Sequence, residues 1–146
     1  MFNRQYGYLF LINDNIEDTL TFMHYINEGS YVAERKPLDL DPYRDANGVL
    51  HRNVVDNVPI NVSFNTRGRL SDTEMERLWG AIVRNSYVVQ KERKLHATFW
   101  VPEINDYVTQ DLYVPDPKFT VHQVRKNKNG EYEVVYEPMT FEFIGY

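Results

Sequence analysis

The stretch VPINVSFNTRGRLSDTEMERLWGAIVRN, residues 58–85, changes its apolar period midway. Through Val58, Ile60, Val62 and Phe64 the apolar residues alternate strictly with others, the period-2 mark of a strand with one buried and one wet face. Further on, Met75, Leu78, Trp79, Ile82 and Val83 fall at the i, i+3, i+4, i+7, i+8 spacing of an amphipathic helix. Ser71 stands as N-cap, Glu74 completes a capping box, and Leu70 before the cap faces Met75 as a hydrophobic staple. Asp72 and Glu74 suit the positive end of the helix dipole and Arg84 the negative end. Gly80 costs about 1 kcal/mol relative to alanine and is read as the point where the helix lies close on a sheet. The expectation is one amphipathic helix over about 71–85, preceded by a strand.

Working outward, short apolar runs between turn residues give strand candidates at Tyr8 to Ile12, Thr19 to Ile26, Tyr31 to Arg35 and Val54 to Asn65 on the N-terminal side. On the C-terminal side they fall at Leu95 to Val101, Tyr107 to Val114, Phe119 to Arg125, Tyr132 to Tyr136 and Thr140 to Ile144. Each should have one wet face. Leu95 to Val101 pairs with Tyr107 to Val114 across PEIND, residues 102–106, and Pro115 and Pro117 end that second strand because proline cannot donate to a ladder. Asn129 and Gly130 supply the positive φ angles of a two-residue turn between Phe119 to Arg125 and Tyr132 to Tyr136. The predicted architecture is α+β: a mainly antiparallel β-sandwich or partly closed barrel with one helix packed on it, in a single domain spanning 1–146. Residues 1–37 are a candidate N-terminal extension or arm.

A chain of 146 residues fits one domain and can bury roughly two-thirds of its unfolded surface. Eleven tyrosines and eight phenylalanines against seven glycines favour an ordered, strand-rich globule. With no cysteine, disulfides, thiolate zinc sites and thiol nucleophiles are excluded. The net charge of -5 argues against sequence-independent binding to DNA or to an anionic membrane, and the basic groups Lys91 to Lys94 and Arg125 to Lys128 are short and flanked by acids. The apolar patch Tyr8 to Ile12 is too short for a membrane span and lacks a small-residue cleavage site, so it reads as a strand of a cytoplasmically made protein.

The acidic stretch LDLDPYRDANGVLHR, residues 38–52, is the first candidate for chemistry. An EF-type calcium loop needs oxygens at alternating positions and glycine at the sixth. Counted from Asp39 the sixth residue is Arg44, and from Asp41 it is Ala46, so neither register fits. A calcium site of another kind shared by Asp39, Asp41 and Asp45 is the alternative to a solvated loop. Asn47 and Gly48 form a strong hairpin dipeptide followed by apolar Val49, Leu50, Val54 and Val55, which favours a turn. His24, His51, His96 and His122 show no metal-ligand spacing. No GxSxG elbow surrounds Ser30, Ser63, Ser71 or Ser86. The paired acids Glu131 and Glu133, and Glu137 and Glu142, read as wet strand faces. No catalytic, cofactor or metal residues are expected. Tyr107, Tyr113, Phe119, Tyr132, Tyr136, Phe141, Phe143 and Tyr146 crowd the C-terminal third, as a β core, an intersubunit seam or a carbohydrate or peptide platform.

The order of elements, an acidic segment, R-x-A-N-G-x-L-x-R, a strand, a capped helix, an aromatic strand and a terminal F-E-F-I strand, resembles a family of small proteins encoded in the tail modules of long-tailed, non-contractile bacteriophages and prophages. The residues that carry the resemblance are Arg44, Ala46, Asn47, Gly48, Leu50 and Arg52, then Leu70 to Val83, Phe99, Tyr113, Val114 and Phe141 to Ile144, over roughly residues 38 to 146. Two departures are a longer first 37 residues and Asp45 where an amide is expected. The resemblance implies a tail-tube-like fold and a virion structural role near the distal end of the tail, between tube and baseplate, with no catalytic residues to carry over. By analogy it also implies a closed ring, hexameric or trimeric, docked to neighbouring tail proteins, with no specific nucleic acid and no membrane as partner. A head-to-tail connector and a carbohydrate- or peptide-binding module using the C-terminal tyrosines are the alternatives.

Overall fold

The structure, a computed structural model, describes residues 1–17, 23–36, 43–51 and 58–146, apart from the side chains at 81, 82 and 85. In chain order its strands are β1 (Phe10–Ile12), β2 (Val32–Arg35), β3 (Tyr43–Arg44), β4 (Leu50–His51), β5 (Ile60–Asn65) and β6 (Leu70–Ser71). After the helical segment come β7 (Lys94–Val101), β8 (Asp106–Tyr113), β9 (Val121–Lys126), β10 (Tyr132–Tyr136) and β11 (Thr140–Gly145). They form a six-stranded sheet in the order β1-β7-β8-β11-β5-β2, a three-stranded sheet β6-β10-β9 and a two-stranded sheet β3-β4. Every ladder is antiparallel. The fold is therefore α+β, mostly antiparallel sheet with a short helix after β6. Among the described residues the large sheet does not close into a barrel: β1 and β2 are its two edges, with no ladder between them. The Tyr31 hydroxyl ties those edges together instead, shared between the carbonyls of Trp100 (2.8 Å) and Leu9 (3.2 Å).

Alternation places the core. In β7, Leu95, Ala97, Phe99 and Val101 are buried while their neighbours face out, and Ile60, Val62, Phe64, Phe141 and Phe143 do the same in β5 and β11. Phe10 meets Phe143, Phe99 and Phe64 at ring-centroid distances of 4.7, 6.1 and 6.2 Å. Each fully buried ring contributes roughly 1.5–3 kcal/mol of burial. Phe10 and Ile12 of β1 and Ala33 of β2 belong to this same core.

The helix begins as its sequence requires and then departs. Ser71 accepts from the Glu74 amide, and the Glu74 carboxylate reaches back to the Ser71 amide. The segment is α-helical only through α1 (Asp72–Met75), then π-helical over Glu76–Val83 and 3-10 over Arg84–Ser86, where an α-helix over 71–85 was expected. The wider winding suits the burial: Leu78 and Val83, five residues apart, both turn into the core with Met75. Gly80 also differs from expectation. A side chain there would collide with the Glu76 carboxylate, 2.3 Å from an ideal Cβ, rather than with a sheet. The bare backbone lets Glu76 lie along the helix and pair with Arg84 at 3.1 Å.

Three further expectations need correction. Met23 to Ile26 is not strand: the Ile26 amide closes a turn on the Met23 carbonyl, and Ile26 forms only an isolated bridge with Thr66. The remainder of that run, residues 19–22, and Val54 to residue 57 of another lie outside the described residues. β9 has no buried face at all, whereas every strand was expected to have one. The short β6, which pairs Leu70 and Ser71 with Tyr136 and Val135, was read only as a staple and a cap.

Candidate functional site

Turn chemistry orders the exposed hairpin Tyr43 to His51. Asp45 accepts the amides of Asn47 (2.9 Å) and Val49 (3.0 Å) on Oδ1, while Oδ2 meets Nε2 of His51 at 3.0 Å. Backbone bonds from Gly48 to Asp45 (3.0 Å) and from Asp45 to Val49 (2.9 Å) close the loop. Gly48 sits at φ +81°, a left-handed conformation glycine adopts without strain. Tyr43 stacks on the His51 ring at 4.8 Å, and Arg44 donates to the Gly48 carbonyl at 3.0 Å. The His51 hydrogen bond, then the amides, hold the Asp45 carboxyl below the usual carboxylate range. Its oxygens are thus occupied as turn acceptors; Asp39 and Asp41 lie outside the described residues.

The β9–β10 turn is built the same way. Asn127 Oδ1 accepts the amides of Asn129 (2.9 Å) and Glu131 (3.1 Å), and the Gly130 amide donates to the Asn127 carbonyl at 3.1 Å. Only Gly130, at φ +79°, takes the left-handed conformation, so the expected two-residue turn with positive φ at Asn129 as well is replaced by a longer one organised by Asn127. The sequence signal, an Asx residue two before Asn-Gly, was visible in both hairpins and was not read as one device.

The histidines are kept apart. His51 pairs with Asp45, His96 with Asp111 at 2.9 Å, and His122 with Glu137, which also meets Arg69 at 3.5 Å; His24 packs edge-on against Tyr25 at 5.4 Å. The His96 hydrogen bond lowers the Asp111 carboxyl. Among the described residues no three His, Cys, Asp or Glu side chains converge as a metal site. Of the suspected acid pairs, Glu133 is held by Arg125 at 2.9 Å, and Glu137 and Glu142 have different surroundings. Ser71 is a cap, and Ser30 is a turn residue whose hydroxyl donates to the Asn27 carbonyl at 2.6 Å. Among the described residues no helix is long and apolar enough to cross a membrane.

The C-terminal aromatics do not form one platform. Tyr107 packs with Trp100, Tyr8 and Phe2; Tyr113 meets Tyr146; Phe119 and Phe141 flank Trp79; Tyr132 stands exposed under Lys126. Phe141 and Phe143 are buried in the core. Burial raises the Tyr107 phenol.

The best-formed concavity lies at the Trp79 group. Trp79 stacks on Phe141 (5.6 Å, 16°) and meets Phe119 edge-on (5.2 Å, 71°). Pro115 and Pro117 end β8 as expected, and Pro138 separates β10 from β11; these breaks bend two segments around the indole. The resulting cleft has a volume of about 390 Å³ and a mixed lining in which Val114 and Met139 stand beside Thr120 and Thr140, with Asp116, Lys118 and Glu142 as its charged groups. Asp116 is held by Arg93 at 2.7 Å. The Glu142 side chain is exposed, and its carboxylate makes no ion pair or hydrogen bond among the described residues. Such a lining can accept apolar side chains and a cation. Trp79 had been read only as core, and the prolines only as strand ends.

No curated protein and no solved structure matches the chain. Residues 5–146 match DUF6711, a family of unknown function, and the chain belongs to that family.

Proposed function

We propose that the protein is a structural component of a bacteriophage tail that acts by self-association and by docking to neighbouring proteins, as a ring-forming adaptor near the distal end between tube and baseplate. The tail assignment rests on the sequence resemblance; the mode of action rests on one observation. The hairpin Tyr43 to His51 is ordered by its own turn yet leaves Tyr43, Val49 and Leu50 58, 54 and 46% exposed. Among the described residues no ladder ties this two-stranded hairpin to a larger sheet; a lone hairpin is marginal in water, and ordered apolar groups left in solvent mark contact surfaces. β9 repeats the theme with Val121 and Val124 exposed. A tail-tube-like sandwich and a six-fold or three-fold ring are the forms this reading favours.

The test is native mass spectrometry of the purified chain, with sedimentation velocity across concentration. The expected result is a closed oligomer of about three or six copies. A species that stays monomeric at every concentration would contradict the self-association part of the reading.

A further inference from the structure

We propose that the β3–β4 hairpin of one copy docks in the Trp79 cleft of a second copy, with Arg44 reaching Glu142. The inference rests on the self-association reading above and supplies the two surfaces that reading lacks. Among the described residues no ladder joins the hairpin to either larger sheet, and Tyr43, Arg44, Val49, Leu50 and His51 are all exposed. Its rigidity comes from the Asp45 acceptor set, so little conformational entropy is lost when it is captured. It therefore presents Leu50 and Arg44 side by side on one preformed face, with Tyr43 stacked on His51 on the other.

The cleft offers the complement. Its 390 Å³ falls in the range of sites that enclose a compact group, and indole, proline and methionine side chains are among those that line it. Glu142 has no cationic partner, and Arg44 has no carboxylate: its guanidinium donates only to the Gly48 carbonyl among the described residues. Asp116 is already neutralised by Arg93, which leaves Glu142 as the open anion of the cleft. Lys118 lines the same cleft without lying within ion-pair distance of Glu142. The second copy is the favoured occupant because both halves of this match, a leucine beside a cation on the hairpin and an indole-lined cleft with an open anion, stand unpaired on one chain among the described residues. Hairpin and cleft are different patches, so the contact is heterologous and repeats head to tail, as a closed ring requires.

The absence of cysteine makes the test clean. A Leu50→Cys variant is mixed with a Lys118→Cys or Thr140→Cys variant under mild oxidation, and disulfide-linked dimers are read by non-reducing electrophoresis and peptide mass spectrometry. All three positions are exposed, and circular dichroism checks that each variant folds. The expected result is cross-linking in the mixture and not in either variant alone. Arg44→Glu or Glu142→Arg should each weaken association about tenfold or more, and combining the two should restore it. Oligomers that form without the cross-link, and ignore both charge reversals, would overturn this docking while leaving self-association intact. A wild-type chain that stays monomeric would overturn both.

Discussion

The hairpins Tyr43 to His51 and Val121 to Tyr136 share a turn and meet different surroundings. In both, an Asx side chain two residues before Asn-Gly accepts two backbone amides, and the glycine takes the left-handed conformation. Beyond the turn they diverge. β10 lays Val135 against the body and pairs with β6, so one strand of that hairpin is anchored. Among the described residues β3 and β4 pair only with each other. Turn chemistry decides where a chain reverses; whether the arms join the core depends on apolar residues far away in the sequence.

The largest effect expected contrasts the body with the free hairpin. Phe143→Ala removes a ring packed between Phe10 and Phe64 and should cost about 3–5 kcal/mol in urea unfolding. Leu50→Ala should change global stability by less than about 0.5 kcal/mol. A comparable loss at Leu50 would mean that the hairpin is part of the folding unit after all.

The two glycines sharpen the comparison at a smaller scale. Gly130→Ala and Gly48→Ala each force a Cβ into the left-handed region, at a local cost of about 1–2 kcal/mol. At Gly130 the strain should lower the unfolding midpoint, because β10 is anchored. At Gly48 it should leave the midpoint unchanged and appear only as faster amide exchange of Asp45 to Val49. Equal midpoint shifts would erase the distinction.

The smallest effect concerns acid. The folded Asp45 carboxyl titrates below its unfolded value of about 3.9, so the order it confers is present above that pH and is lost as pH falls through the folded value. The loss should be confined to the free hairpin and visible in carboxyl and amide NMR shifts. Asp45→Asn should keep the turn, as Asn127 does in the other hairpin, and abolish this acid transition. An unchanged transition in the variant would assign it to another group.

What the sequence conveyed, and what it withheld, follows the range of each interaction. The capping box at Ser71 and Glu74, the β7–β8 hairpin, the Asn-Gly turns and the alternation through Phe64 and Phe143 rest on neighbours and appear where expected. The π winding after Met75 was hidden, because a stripe of Met75, Leu78, Trp79 and Val83 is compatible with an α-helix, and only the backbone of Glu76–Val83 shows the wider turn. The Trp79 cleft was hidden for a different reason. Its walls come from the helix, from 114–120 and from 138–142, and nothing local says that Pro115, Pro138 and Trp79 meet. The Asp45 to His51 contact spans six residues, yet reading it requires knowing that the turn is organised by the aspartate rather than by Asn47.

The most direct test of the tail assignment is peptide mass spectrometry on density-gradient-purified particles from a culture that carries the gene, with copy number measured against the major tube protein. The account predicts detection in intact particles at a few to about a dozen copies, the number a ring at the tail end requires. Absence from intact particles would contradict it.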